Sequence, residues 1–290
     1  MRRIELLLIP LLGLAFAALS VGCSPEKAAG ELKIISYNIL YGMRSDTTEG
    51  KSVFAEWVRA QDPDILAMQE TNDFTQIRFE ELARSYGHGF AVLGKEPGMP
   101  GSVEMRTKFP VSVSSKTPVV NVDKVLDNMW HGFIKCNVEG YNIIVLHLSP
   151  HKYWLRRGEI KTVLETVRQS GPFEKWIIMG DFNSVSPLDA AVYADGKYLQ
   201  KKRDDAKKYL SHDNLDNDGL DYMVHQWILD FGFVDAARQS PGFAEDFSRR
   251  IDFIYVSPDL KDKVVSCGFI EDDFTAAYSD HLPVELVLKR

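Results

Sequence analysis

The stretch Trp176-Ile177-Ile178-Met179-Gly180-Asp181-Phe182-Asn183-Ser184 constrains the fold more than any other in the chain. Four apolar residues in a row, closed by a glycine and followed by a polar cluster, describe a strand buried on both faces that carries its last residues to the rim of a sheet. Asp181 and Asn183 stand two apart, so in extended geometry they share one face and address one small anionic group together. A carboxylate orients or deprotonates a water, and an amide donates to a developing oxyanion. The competing reading of an Asp-x-Asn after a strand is a turn that hydrogen-bonds its own backbone.

The rest of the chain repeats the theme. Leu32 to Ile39 is a strand ending at Asn38, and Val53, Phe54, Trp57 and Val58 mark one face of a helix that Gln61-Asp62-Pro63-Asp64 stops. Ile65-Leu66-Ala67-Met68 is a second buried strand, running into Gln69-Glu70. A helix over about 75–86 precedes strands near 89–93 and 102–107. Residues 110–117, 130–138 and 141–147 continue the strand-rich run, the last two joined by Glu139-Gly140 as a tight hairpin. Ile160, Val163, Leu164 and Val167 recur at helical spacing, so about 153–169 is an amphipathic helix leading into the Asp181 strand. Residues 195–220 are a polar excursion with a helical piece. Within it Asn214-Leu215-Asp216-Asn217-Asp218-Gly219 resembles the start of a calcium loop, but it opens on Asn and has His225 at the twelfth place, so it reads as a polar turn. A helix near 221–231, a strand over 250–256 and a strand pair at 264–270 and 283–288 complete the chain. With no internal repeat or linker, residues 32–290 read as one α/β domain with a polar insertion at about 195–220.

The first residues are different. Met1-Arg2-Arg3 is positive, Leu6 to Val21 is almost wholly apolar, and Cys23-Ser24-Pro25 follows, which is a secretory layout for residues 1–22. Small residues before Cys23 resemble a bacterial lipoprotein signal in which that cysteine is acylated, although Ser20 stands where such signals usually have Leu. Ala15-Phe16-Ala17 is a rival cleavage site for a freely secreted form. Residues 23–31 would be a tether, and the protein would be exported to the periplasm or cell surface, lipid-anchored at Cys23. The chain is acidic, net −7, and loss of Arg2, Arg3 and Glu5 with the leader makes it one unit more so. It lacks the broad basic face of tight nucleic-acid binders. Lys201, Lys202, Arg203, Lys207 and Lys208 are a local exception, read as a solvated helix face. Cys136 and Cys267 lie in apolar runs and read as buried and free.

Asn38, Glu70, His147, Asp181 with Asn183, and Asp280-His281 all end or flank predicted strands, and Asp252 lies within another. Singly, each has an ordinary explanation as turn, cap or core residue; together they are what a site built on a sheet rim requires. Ser36-Tyr37-Asn38, Pro63 through Glu70, Gly180-Asp181-Phe182-Asn183, Arg250-Ile251-Asp252-Phe253-Ile254 and Ser279-Asp280-His281-Leu282-Pro283-Val284 resemble, in order, the motifs of the endonuclease/exonuclease/phosphatase superfamily, of deoxyribonuclease-I-like fold. The resemblance covers essentially all of residues 32–290. It implies an α/β four-layer sandwich, two mixed β-sheets packed face to face with helices on the outside, and divalent-metal hydrolysis of phosphate esters.

Residue by residue, the resemblance implies that Glu70 holds Mg²⁺ or Mn²⁺, with Asn38 assisting and Asp280 completing the shell, since carboxylate and amide oxygens are hard ligands. It implies that Asp181 activates the attacking water, Asn183 steadies charge on phosphorus, His281 paired with Asp252 contacts the phosphate, and His147 serves as general acid for the leaving oxygen. Two departures stand out. Leu40 occupies a place where some branches have a carboxylate, and Met105-Arg106-Thr107-Lys108-Phe109-Pro110 replaces the usual Ile-Leu-Ser-Lys-Tyr-Pro. Glu104 is a candidate buttress for His147, and His151 and Tyr153 line the cleft or cap the following helix. The expected activity is a metal-dependent phosphodiesterase acting outside the cytoplasm on a small molecule, lipid headgroup or nucleic acid: nuclease, sphingomyelinase-like enzyme, or sugar or inositol phosphatase. The alternative is a non-catalytic cell-surface binding module on the same fold. The sequence is silent on oligomeric state.

Overall fold

The computed structural model describes residues 28–96 and 108–290. The leader, Cys23, Glu104 and the strand expected over 102–107 lie outside the described residues. In chain order the elements are β1 (Glu31–Asn38), α1 (Leu40–Met43), α2 (Ser52–Gln61), β2 (Ile65–Gln69), α3 (Gln76–Ser85), β3 (Phe90–Leu93), β4 (Ser112–Ser115), β5 (Val119–Val125), β6 (Phe133–Val138), β7 (Tyr141–His147), α4 (Tyr153–Gln169), β8 (Trp176–Asp181), α5 (Lys197–Lys208), β9 (Leu215–Asp216), β10 (Gly219–Leu220), α6 (Met223–Phe231), β11 (Val234–Asp235), β12 (Asp252–Val256), β13 (Val264–Phe269), α7 (Asp273–Tyr278) and β14 (Val284–Lys289). They form two six-stranded sheets of order β13-β14-β1-β2-β4-β3 and β11-β12-β8-β7-β6-β5. Each has one parallel pair at its centre, β1 with β2 and β7 with β8, and antiparallel neighbours elsewhere.

The period of two along each strand explains the layers. Leu32, Ile34, Ile65 and Ala67 of one sheet meet Ile143, Val145, Ile177, Met179, Ile254 and Val256 of the other in a shared core. The alternate residues face outward: Ile35, Tyr37, Leu66 and Met68 pack under Phe54, Trp57, Phe79 and Leu82 of α2 and α3. On the far side Ile144, Leu146, Ile178 and Tyr255 pack under Ile160, Val163, Val224 and Ile228 of α4 and α6. Both faces of the central strands are therefore covered, which is why they read as unbroken apolar runs. The result is the helix–sheet–sheet–helix sandwich expected from the sequence.

Glu139 and Gly140 both take positive φ, 51° and 79°, and pair Val138 with Tyr141 across a two-residue hairpin. The polar turn read at 214–219 is the β9–β10 hairpin, with Asn217 and Asp218 at positive φ. β5 was not foreseen, because Val119–Val125 is an edge strand whose middle residues are exposed and whose pairing shifts between Val120 and Asp123. Cys136 and Cys267 are buried and free. Gly180 has φ +143°, and a Cβ there would lie 1.9 Å from the Leu146 carbonyl oxygen, so only glycine lets β7 and β8 approach this closely beside Asp181.

A buried ion knot anchors the start of β12. Arg250 reaches Asp189 through Nε at 2.8 Å and Nη2 at 3.0 Å, and Asp235 through Nη2 at 2.5 Å, with its guanidinium 4.2 Å from the centre of the Phe253 ring. Breaking such a knot from one side strands the partner charges. Arg250→Met is expected to cost about 3–5 kcal/mol and to lower the melting temperature by roughly 10 °C, read by thermal denaturation; an unchanged melting temperature would refute this role.

Candidate active site

The inward-facing parity of the strands does not stop where the apolar core stops. On β7, Ile143 and Val145 are followed at the same spacing by His147; on β8, Ile177 and Met179 by Asp181; on β12, Val256 and Ile254 are preceded by Asp252. Cross-strand register pairs His147 with Asp181 and Asp181 with Asp252. In the facing sheet Leu32 and Ile34 lead to Asn38, opposite Gln69. One end of the sandwich thus receives its polar groups from the same alternation that fills the core. Glu70, just past β2, takes φ +60°, and its Oε2 accepts from the Tyr41 backbone N–H at 3.0 Å.

Asp181 is the hub. Its Oδ2 accepts from Asn38 Nδ2 at 3.1 Å and lies 3.5 Å from His147 Nε2 and 3.8 Å from His281 Nε2, while Oδ1 accepts from the Asn183 backbone N–H at 2.8 Å. The Asn38 amide also donates to Glu70 Oε1 at 3.2 Å, so one amide lies between two carboxylates from different sheets. Asn183 has φ +48°, so extended geometry ends at Asp181 and the turn reading holds for the backbone. Its side-chain amide donates to the Leu148 carbonyl at 3.0 Å.

His281 Nδ1 lies 2.6 Å from Asp252 Oδ2. Burial alone would push this imidazole down; the Asp252 carboxylate, with Asp181 beyond it, overrides that and raises its pKa to about 10. Burial likewise lifts Asp252 to about 6 against the pull of His281, so at neutral pH the shared proton rests on the imidazole. The loop is pinned by Ser279, whose hydroxyl donates to the Asn38 carbonyl at 2.7 Å and accepts from the His281 N–H at 3.2 Å. His147 shifts the other way: burial lowers its pKa, opposed by Asp181 and Glu70, and its Nδ1 has no hydrogen-bond partner among the described residues.

The structure thus brings Asn38, Glu70, His147, Asp181, Asn183, Asp252 and His281 to one rim. Asp280 is exposed on the His281 loop, its carbonyl accepting from Arg249 Nη2 at 3.3 Å. His151 stacks on His212 at 5.1 Å and meets the edge of Trp130, bordering the His147 side. Tyr153 opens α4 with its ring under Arg157, and no side chain caps that helix. Two neighbours escaped the sequence reading. His131 stacks on His147 at 4.3 Å between centroids, a contact without a sequence signal. Glu159 accepts from the Ser149 and Trp130 backbone N–H groups at 2.8 and 2.6 Å, tying the loop after His147 to the loop that carries His131. Burial pushes its pKa up to about 7. An acid beside Ile160 on the apolar face of α4 was a usable signal.

The donor set fits a hard divalent cation in kind: Glu70 and Asp181 offer carboxylate oxygens on either side of the Asn38 amide, whose own oxygen accepts from the Leu40 N–H at 3.1 Å. Asp181, Asp252 and His281 also place one ligand atom each within 4.8 Å of one another. There, however, His281 Nδ1 and one Asp252 oxygen are already committed to each other, which leaves the carboxylates of Glu70 and Asp181 as the stronger donors.

Among solved structures the chain is similar to an AP endonuclease from Archaeoglobus fulgidus, with 18% identity, a TM-score of 0.62, and 89% of this chain and 100% of that one covered. It is also similar to a 3′-5′ exonuclease (NExo) from Neisseria meningitidis, with 21% identity, a TM-score of 0.61 and the same coverage. A Neisseria 3′ phosphatase NExo bound to product DNA hairpin aligns with 20% identity and a TM-score of 0.58 over 88% of this chain and 98% of that one. At these identities the likeness speaks to the fold. No curated protein matches the sequence. The model of the Endonuclease/Exonuclease/phosphatase family matches residues 35–281, and the chain belongs to this family of phosphoesterases.

Proposed function

We propose that the chain is a divalent-metal-dependent phosphodiesterase that works outside the cytoplasm by in-line attack of a water activated by Asp181. The observation that carries this reading is the position of Asp181: one carboxylate faces two imidazoles and an amide at the end of a dry core. Its Oδ2 can accept a proton from a water placed among those groups, while the Asn183 N–H on Oδ1 fixes the carboxylate plane. His281, kept cationic by Asp252, holds a non-bridging phosphoryl oxygen and meets the charge that grows there. Asn183 has a second amide N–H beyond the one given to Leu148, and it serves the same charge. His147, on the opposite side of Asp181 from Asp252 in the sheet, gives an N–H to the leaving oxygen. Glu70 and Asn38, with Asp280 on the facing loop, would hold Mg²⁺ or Mn²⁺, which when bound supplies a Lewis acid for a phosphoryl oxygen. Location is inferred from the leader pattern, with Cys23 as the anchored residue.

Bis-p-nitrophenyl phosphate is expected to be hydrolysed with Mg²⁺ and not with EDTA. Asp181→Asn should lower the rate about a thousandfold with its melting temperature nearly kept. EDTA-resistant turnover, or a wild-type rate in Asp181→Asn, would sink the reading. Because Asp252 and His281 act as one unit, Asp252→Asn with His281→Gln should be no slower than His281→Gln alone; multiplicative losses in kcat would show two independent roles. In a bacterial host, Cys23→Ser should move the protein from the membrane fraction to the soluble fraction and abolish labelling by a fatty-acid analogue. Persistent labelling would exclude Cys23 as the acylated residue.

A further inference from the structure

A cavity of about 200 Å³ opens directly beside His281 and Asp252. Phe247, Ile251 and Phe269 give it an apolar wall, and Arg249 and the carboxylates of Asp252 and Asp280 line it as well. The cavity continues into a cleft of about 490 Å³ that shares Phe247, Arg249 and Phe269. Arg249 uses one N–H on the Asp280 carbonyl, and among the described residues it makes no ion pair with a carboxylate. Arg157, Arg203, Arg238 and Arg250, by contrast, are each held by a carboxylate. A second such cation, Lys202 of α5, lies over the Tyr198 ring at 5.3 Å, without a carboxylate partner among the described residues. It shares a recess beside Asn183 with Arg156, whose buried Nε has no hydrogen-bond partner among the described residues. Burial, and the charges of Arg156 and Arg249 nearby, hold the Lys202 ammonium down to about 8. In an acidic chain, two neighbouring cations without carboxylates at the mouth of the site make a local anion-attracting rim.

The order β12-β8-β7 sets direction. His147 flanks Asp181 on the β7 side and His281 flanks it on the β12 side; in-line displacement puts the attacking water opposite a leaving oxygen at His147, and the retained ester oxygen takes an equatorial place beside the non-bridging oxygen at His281, next to the cavity. Resting on the phosphodiesterase reading, we propose that this cavity seats the retained part of the substrate and that Arg249, seconded by Lys202, binds a second phosphoryl group carried by it. The apolar wall takes the carbon skeleton, and the guanidinium, with N–H groups to spare, takes the anion in charge-assisted hydrogen bonds. Arg249 is thus a residue of substrate selection rather than of bond cleavage.

Two pairs of chromogenic diesters with the same leaving group test this on the full chain with Mg²⁺. One pair is the p-nitrophenyl ester of thymidine 5′-phosphate with and without a 3′-phosphate; the other is the p-nitrophenyl ester of glycerol 3-phosphate with and without a phosphate on the far hydroxyl. The second phosphate should raise kcat/KM about tenfold or more, chiefly through KM, in at least one pair. Arg249→Ala should collapse that ratio towards one, and Arg249→Lys should restore part of it. A gain in both pairs assigns recognition to the phosphate whatever bears it, and a gain in the thymidine pair alone assigns it to a nucleotide. Ratios near one in the wild type, or a ratio that survives Arg249→Ala combined with Lys202→Ala, would overturn the inference while leaving the phosphodiesterase reading intact. Failure to turn over any of the four esters would overturn both.

Discussion

The site depends on one register. His147, Asp181 and Asp252 face one another only because β7, β8 and β12 are aligned residue for residue, and that alignment is fixed by the apolar side chains behind them. A slip of one residue would turn Ile177, Met179 and Asp181 together towards α4 and α6 and bring Ile178 and Gly180 inward. Three polar groups of this kind have no reason to gather on their own. The burial of the core between the sheets, non-directional in itself, becomes directional through the period of two, and the polar rim is where that order outlasts the hydrophobic residues.

Gathering acids at a buried rim has an electrostatic cost, and the structure meets it locally. Asp252 has His281, Asp181 has the Asn38 amide and the Asn183 N–H, and Glu70 has the same amide and the Tyr41 N–H. These partners are all hydrogen-bond donors, so the arrangement that makes an acidic rim tolerable is also one suited to an anion. Behind the rim, the Arg250 knot does a different task. It fixes the residues just before Asp252 with buried charges, separating the group that holds the strand from the groups that line the rim.

Strand cores and helix faces were legible because both are periodic: the apolar runs at Ile65–Met68 and Trp176–Met179, and Ile160, Val163, Leu164 and Val167 on α4, signal their burial without any tertiary knowledge. The rim residues were legible as a set, since each ends a strand, though none stood out singly. What stayed hidden depends on contacts between distant loops. His131 acquires its place only by stacking on His147, and Arg249 only because the segment from Ser240 folds along β13 to make a cavity wall. Asn183 was legible in type, and the turn reading of Asp-x-Asn anticipated its backbone because asparagine tolerates positive φ, but the partner of its side chain, the Leu148 carbonyl, comes from a distant strand end and left no mark in the sequence. β5 lacked a signal for the opposite reason: an exposed edge strand is decorated to look like a loop.

The two imidazoles flanking Asp181 carry the division of labour further. They are the same residue type at 3.5 and 3.8 Å from the same oxygen, and their proton affinities move in opposite directions. His147 lies among His131 and Phe109 rings, with one nitrogen unpartnered among the described residues, so burial dominates and its pKa falls. His281 is a little more exposed and has Asp252 at hydrogen-bond distance, so it keeps its proton. A base that must take a proton from water cannot be the imidazole that already holds one. It cannot be Asp252, whose lone pairs serve that imidazole. Two acceptors are left, Asp181 and the neutral His147, and on the proposed reading Asp181 takes the water's proton and passes it to His147, 3.5 Å away, which delivers one to the leaving oxygen.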